Sequence, residues 1–351
     1  MTEVALAAGF RSIRRFNETF QQLYKQPPNA LRRTGVSAKS FGTTGAVAVK
    51  LGYRPPYDWE AVLSFLRMRA IPGIEAVSTA RYARTIAIGD ERGVLIVEPA
   101  KRNYLKATVR FPNLKNLTAI IARVRRVFDL AVDPLAIGAH LSRDPTLAPL
   151  VAARPGLRVP GAWDGFELAV RAILGQQITV SAAARLAGKL VLSYGEKIVD
   201  PAALDQGLTH VCPTPQQLVG ADLATIGMPR ARRIALSSLA QTVAADPLIF
   251  GPRRSLQEAI AQLRPLAGVG EWTAQYIAMR ELREPDAFPA TDIGLMRATS
   301  DGSGARPSPA ELLAYAERWR PWRAYAALHL WASDQHASPI FEKVLHDQQA
   351  A

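Results

Sequence analysis

The stretch LRPLAGVGEWTAQYIAMRELREPDAFPATDIGLMR, Leu263 to Arg297, decides the fold. Gly268 and Gly270 flank Val269 in a tight turn between two apolar segments of helical spacing. Glycine at such a turn permits positive φ and the close approach of another molecule's backbone. The segment from Trp272 starts with N–H groups that have no intrahelical partner and point back at the turn, which suits a phosphate. Two helices joined in this way can hold a DNA backbone without reading its sequence. Taken alone, a G-x-G is no more than a helix stop and restart. Beyond the second helix, a loop ends in Phe288-Pro289, and Thr291-Asp292 then precedes Ile-Gly-Leu-Met as a helix N-cap would.

The pattern LxxLxGVGxWTAxYIAMR, followed by the Pro-containing loop and Asp292, resembles the helix-hairpin-helix DNA glycosylases, which carry hairpin, loop and aspartate in this order. Within that superfamily it is most similar to the bacterial alkylpurine glycosylases (DNA-3-methyladenine glycosylase II), over roughly residues 46 to 335. The resemblance implies an enzyme that flips alkylated bases such as 3-methyladenine out of duplex DNA. It hydrolyses the N-glycosidic bond and leaves an abasic site for base excision repair. Double-stranded DNA with alkylated bases is the implied partner, and no cofactor or metal is expected. Such a bond breaks through an oxocarbenium-like sugar, so a carboxylate is needed to stabilise positive charge and place water. Asp292 holds the motif's aspartate position. Its rivals are Asp286, six residues upstream, and Glu271 in the hairpin, which would repel a phosphate there.

Trp272 bears on the reaction type. By resemblance, glycosylases that also cut the backbone carry a lysine here to form a Schiff base. Tryptophan has no such amine, so hydrolysis without lyase activity is expected. Trp272 and Tyr276, one helical turn apart, offer aromatic surface to a base. Alkylated purines such as 3-methyladenine are cationic, and cation–π attraction in a desolvated site is worth on the order of 2 kcal/mol. Core packing explains Tyr276 equally well. Gly268, Gly270 and Thr273 are the expected hairpin contacts to DNA.

The whole chain agrees with this reading. Its 351 residues allow two or three domains, and 48% apolar composition supports real cores. A formal charge of +13 points to an anionic partner. No apolar run is long enough to span a bilayer and no secretory signal is evident, so a cytoplasmic location is expected; the chain is also expected to act as a monomer. Cys212 is the single cysteine, which excludes an internal disulfide, a cysteine-rich zinc site and a cysteine-ligated iron–sulfur cluster.

In chain order, residues 1–33 read as helix, turn and helix around Gly9-Phe10. They resemble part of an AraC-type helix-turn-helix, with Ser12 as a cap and Arg14, Arg15 and Asn17 on a recognition helix. A small basic extension without sequence-specific binding explains them as well. Residues 34–45, rich in Gly, Ser and Thr, read as a linker. Residues 46–132 alternate as strand, helix, three strands and helix, a small antiparallel α+β domain. The resemblance places Phe65 near the base pocket, although its spacing also suits a core position. Residues 133–345 read as an all-α catalytic domain, so the fold class is α+β with a helical N-terminal extension.

Within the helical part, Gly175-Gln176-Gln177-Ile178 interrupts an apolar pattern. By resemblance this is the loop that wedges into DNA, since something must fill the hole left by a flipped base. Gln177 is the first candidate and Ile178 the second; a polar turn is the plainer explanation. Arg230, Arg232 and Arg233 cluster at a helix start, against the helix dipole, where either a phosphate or solvent would accommodate them. Trp331 shares a helix with Tyr325 and Leu328, so packing is its default role and the pocket its implied one. A non-enzymatic DNA-binding or regulatory protein of the alkylation response is the alternative, motivated by residues 1–33.

Overall fold

A computed structural model of the chain describes Arg14, residues 46–300 and residues 303–333. The AraC-like segment 1–33 and the linker 34–45 therefore lie outside the described residues, Arg14 apart.

The first part is a five-stranded antiparallel sheet of order β1-β5-β4-β3-β2, with two helices. Its strands are β1 (Ala46–Gly52), β2 (Glu75–Val77), β3 (Tyr82–Ile88), β4 (Glu91–Ala100) and β5 (Tyr104–Arg110). Alternation is plainest in β1, where Val47, Val49 and Leu51 point inward. Helix α1 (Trp59–Met68) is capped by Asp58, whose Oδ1 accepts from the Ala61 amide at 2.8 Å. It buries Val62, Leu63 and Leu66 in the same core as Ile120, Ile121, Val124 and Val127 of α2 (Leu117–Val127). Four strands are expected from the sequence; the structure has five. The additional β2 is three residues long, too short for alternation to register, and pairs Glu75 with Arg84 of β3.

The helical part runs through α3 (Pro134–Leu141), α4 (Ala148–Ala153), α5 (Gly165–Leu174), α6 (Val180–Tyr194), α7 (Arg230–Ala245), α8 (Leu256–Leu263), α9 (Glu271–Ile277), α10 (Ile293–Ala298), α11 (Pro309–Ala316) and α12 (Arg323–Ser333). Two short helices, Pro201–Leu204 and Pro215–Leu218, lie between α6 and α7. Helix α5 is its axis, buried along nearly its whole length. One apolar cluster surrounds it, with Leu190, Leu236, Leu239 and Ile277; another surrounds α12, with Phe288, Leu295 and Trp319. Trp331 packs against both clusters and so marks the seam between them. No helix among the described residues is long and apolar enough to cross a membrane.

A buried ion cluster joins the sheet to α5. Glu167 binds Arg84 of β3 at 2.7 Å and Arg171 at 2.6 Å, and Arg171 also reaches Glu75 of β2 at 2.6 Å. Burial alone would raise the Glu167 carboxyl, yet Arg84 and then Arg171 hold it down at about 2. Arg171 donates further to the Arg69 carbonyl at 2.7 Å, tying the end of α1 to α5. This connection aims α1 at the site described next.

Candidate active site

Asp292 is the N-cap of α10, with Oδ1 accepting from the Leu295 amide at 3.0 Å. Trp331 donates its indole N–H to the same Oδ1 at 2.9 Å, and Trp272 donates its own to Oδ2 at 2.8 Å. Capping, expected as the plain explanation of this residue, is real and accounts for one of three donors. A carboxylate has about four lone-pair directions, so about one remains on Oδ2. Charge-assisted bonds of this kind fix the plane of the carboxyl group.

The three residues line a cavity of about 1500 Å³ that also takes in Phe65, Tyr276, Gln176, Gln177 and Ile178. It thus gathers most of the site residues expected from the sequence. Trp272 and Tyr276 stack at 4.9 Å with their planes 15° apart. Tyr276 is buried, and its hydroxyl accepts from Arg280 Nη1 at 2.6 Å. Burial would raise its pKa, but Arg280 and then Arg69 bring it below the usual phenol value. Phe65 contributes from α1 and is covered by the Arg69 guanidinium, 3.8 Å from the ring centroid. Arg69 and Arg280 are the pocket residues that sequence reasoning missed. Each lies four positions after an expected aromatic, Phe65 or Tyr276, a spacing that places them on the same helical face.

The rival carboxylates separate cleanly. Asp286 is bound by Arg323 at 2.7 and 2.9 Å and by Arg320 at 2.5 Å, and does not line the cavity. Glu271 sits at the cavity edge, exposed, 3.6 Å from Arg264 and bonded to Gln275.

The hairpin glycines have different roles. Gly268 takes φ +78°, and a Cβ there would meet the Ala235 Cβ at 2.7 Å, so it serves the packing of the turn against α7. Gly270 caps α9 with φ −80°, and nothing lies within 4 Å of an added Cβ. Positive φ is thus expected of both glycines and found at one, while the open approach belongs to Gly270. Thr273, expected as a DNA contact, is buried; its Oγ1 lies 3.4 Å from Gln176 Nε2. Gln176 also donates to the Gly268 carbonyl at 2.7 Å, bracing its loop on the hairpin. Arg232 grips the Gln176 carbonyl at 2.5 Å, which explains that arginine without a phosphate, whereas Arg230 is exposed outside the cavity. Between these anchors Gln177 is exposed at φ +59°, a left-handed conformation, while Ile178 is half-buried.

The AlkA N-terminal domain family matches residues 48–164. The DNA-3-methyladenine glycosylase 2 of Escherichia coli is 38% identical over 289 residues, covering 81% of this chain and 96% of that one. The chain belongs to the DNA-3-methyladenine glycosylase family. A second relative of this glycosylase, the "Probable bifunctional transcriptional activator/DNA repair enzyme AlkA" of Mycobacterium tuberculosis, is 38% identical over 336 residues, or 95% of this chain and 67% of the relative. In three dimensions the glycosylase is similar to the 3-methyladenine DNA-glycosylase of Archaeoglobus fulgidus, with a TM-score of 0.71 at 21% identity over 82% of this chain and 98% of that one. That likeness extends the fold, small sheet domain followed by helices, to a distant relative.

Proposed function

We propose that this DNA glycosylase is monofunctional. It flips alkylated bases such as 3-methyladenine out of duplex DNA and hydrolyses their glycosidic bond, acting as a cytoplasmic monomer in base excision repair. The observation that carries the reading is the Asp292 carboxylate, held by Trp272, Trp331 and the Leu295 amide on the wall of an aromatic cavity. In this scheme the flipped base enters beside Trp272 and Tyr276. The fixed carboxylate faces the sugar, where positive charge develops, and its remaining lone pair orients water. Gln177 fills the gap left in the DNA stack, and Ile178 is the second candidate for that role. Gly270 receives a phosphate, and exposed Arg230 meets another. No lysine lines the cavity among the described residues, and position 272 offers an indole already committed to Asp292, which favours hydrolysis without a Schiff base.

A regulator that only binds DNA needs neither the cavity nor an oriented carboxylate, so the enzyme reading is preferred. Incubation with methylated duplex DNA tests it: free 3-methyladenine is expected, with strand breaks only after alkali. Breaks without alkali would refute the monofunctional assignment, and unaltered DNA would refute the activity.

A further inference from the structure

Phe65 forms one wall of the cavity, yet its ring is already covered. The Arg69 guanidinium carbon lies 3.8 Å from the ring centroid, and that of Arg280 4.8 Å. Arg280 donates to the Tyr276 hydroxyl, and the positive charges of both arginines act on it. They are otherwise unlike. Arg280 is buried and spends Nε and Nη2 on the carbonyls of Pro160 and Gly161, so it belongs to the framework. Arg69 emerges at the end of α1, and its Nη1 makes a long bond of 3.3 Å to the Phe65 carbonyl. Burial works most strongly against its charge and Arg280 adds to that, while Tyr276 and Asp292 favour it. It is thus a cation within the electrostatic reach of the catalytic carboxylate, resting on an aromatic face inside the base cavity.

On the base-excision reading above, we propose that Arg69 is a specificity-determining residue: its guanidinium occupies the Phe65 side of the cavity and must be displaced by an incoming base, a cost that a cationic base offsets and a neutral base does not. A planar cation that takes the same seat exchanges one cation–π contact for another. A neutral base loses that contact without replacing it. Departure of Arg69 also removes positive charge from the surroundings of Asp292, leaving more of the carboxylate's field for the sugar. The arginine therefore acts as an entry tax on undamaged bases, which are neutral and far more numerous than lesions.

The test measures single-turnover excision, with the full chain, from one duplex carrying cationic 7-methylguanine and from a matched duplex carrying neutral hypoxanthine. Wild type, R69A, R69Q and R69K are compared. R69A and R69Q are expected to raise the hypoxanthine to 7-methylguanine ratio roughly tenfold, while R69K, which keeps a cation, stays near the wild-type ratio. R69Q retains side-chain length and a donor for the Phe65 carbonyl, so it covers the case in which R69A folds poorly. A ratio that is unchanged or falls in both neutral variants, or equal loss of both activities, would overturn the proposal, because vacating the seat should not slow entry of a neutral base. Failure of the wild type to release 7-methylguanine would instead count against the enzyme reading itself.

Discussion

Trp272 gives its indole N–H to Asp292 Oδ2 at 2.8 Å, across twenty positions of sequence. Indole has one donor and no acceptor, so this bond commits the side chain's polar end to the carboxylate and leaves its ring for Tyr276 and the base. Oδ1, by contrast, has two donors, Trp331 and the Leu295 amide.

The asymmetry ranks two conservative substitutions. W331F leaves Oδ1 its helix-cap donor, whereas W272F removes the donor seen at Oδ2 while keeping an aromatic ring. A hydrogen bond to a charged group contributes about 1.5–3 kcal/mol. W272F is therefore expected to slow single-turnover base release about 10- to 100-fold, and W331F less. The reverse order would show that Trp272 acts on the base alone.

Gln177 predicts a split between stability and activity. Its φ of +59° costs a non-glycine residue roughly 1–2 kcal/mol. Q177G should relieve this strain and leave the melting temperature unchanged or higher, yet slow excision from matched duplex DNA more than from mismatched DNA, whose bases leave the stack more easily. A loss equal on both duplexes would exclude a wedge at this position.

Glu281, just after α9, gives a signed pH prediction. Burial raises its carboxyl to about 7 against the opposing pull of Arg126, and its Oε2 has no hydrogen-bond partner among the described residues. The folded protein then holds a proton that the unfolded chain releases near pH 4.5, so stability from this group is full below that pH and lost as pH rises through about 7. His329 works in the opposite sense, because burial lowers it to about 4, so its contribution is full above 6.5 and lost as pH falls through about 4. The wild-type curve mixes the two. The stability difference between E281Q and wild type isolates the carboxyl, and should move in favour of E281Q between pH 5 and 7, by thermal melts; a flat difference would contradict the burial argument. That interval is roughly the window between the unfolded and folded ionisations of Glu281.

Much of the site is legible in the sequence because its parts are local. The hairpin, the loop and the capping Asp292 follow one another within one stretch, and capping leaves a signature of residue type and position. What was illegible depends on distance between parts far apart in sequence. Nothing in residue spacing brings Trp331 onto Asp292, or sets Asp286 aside with Arg320 and Arg323. The short β2 lacked enough residues to show a period, although Glu75 within it anchors Arg171. Arg69 and Arg280 are an intermediate case: their spacing from Phe65 and Tyr276 is visible, but their meeting over the Phe65 ring arises only when the end of α1 comes beside the turn that follows α9.

The central claim is that Asp292 performs the chemistry while the rest of the cavity binds and orients. Single-turnover release of 3-methyladenine by D292N, measured beside its affinity for the same duplex, tests this most directly. Retained binding with base release lowered by at least about 1000-fold, equivalent to ~4 kcal/mol of transition-state stabilisation, is the expected result. Release at the wild-type rate would contradict it.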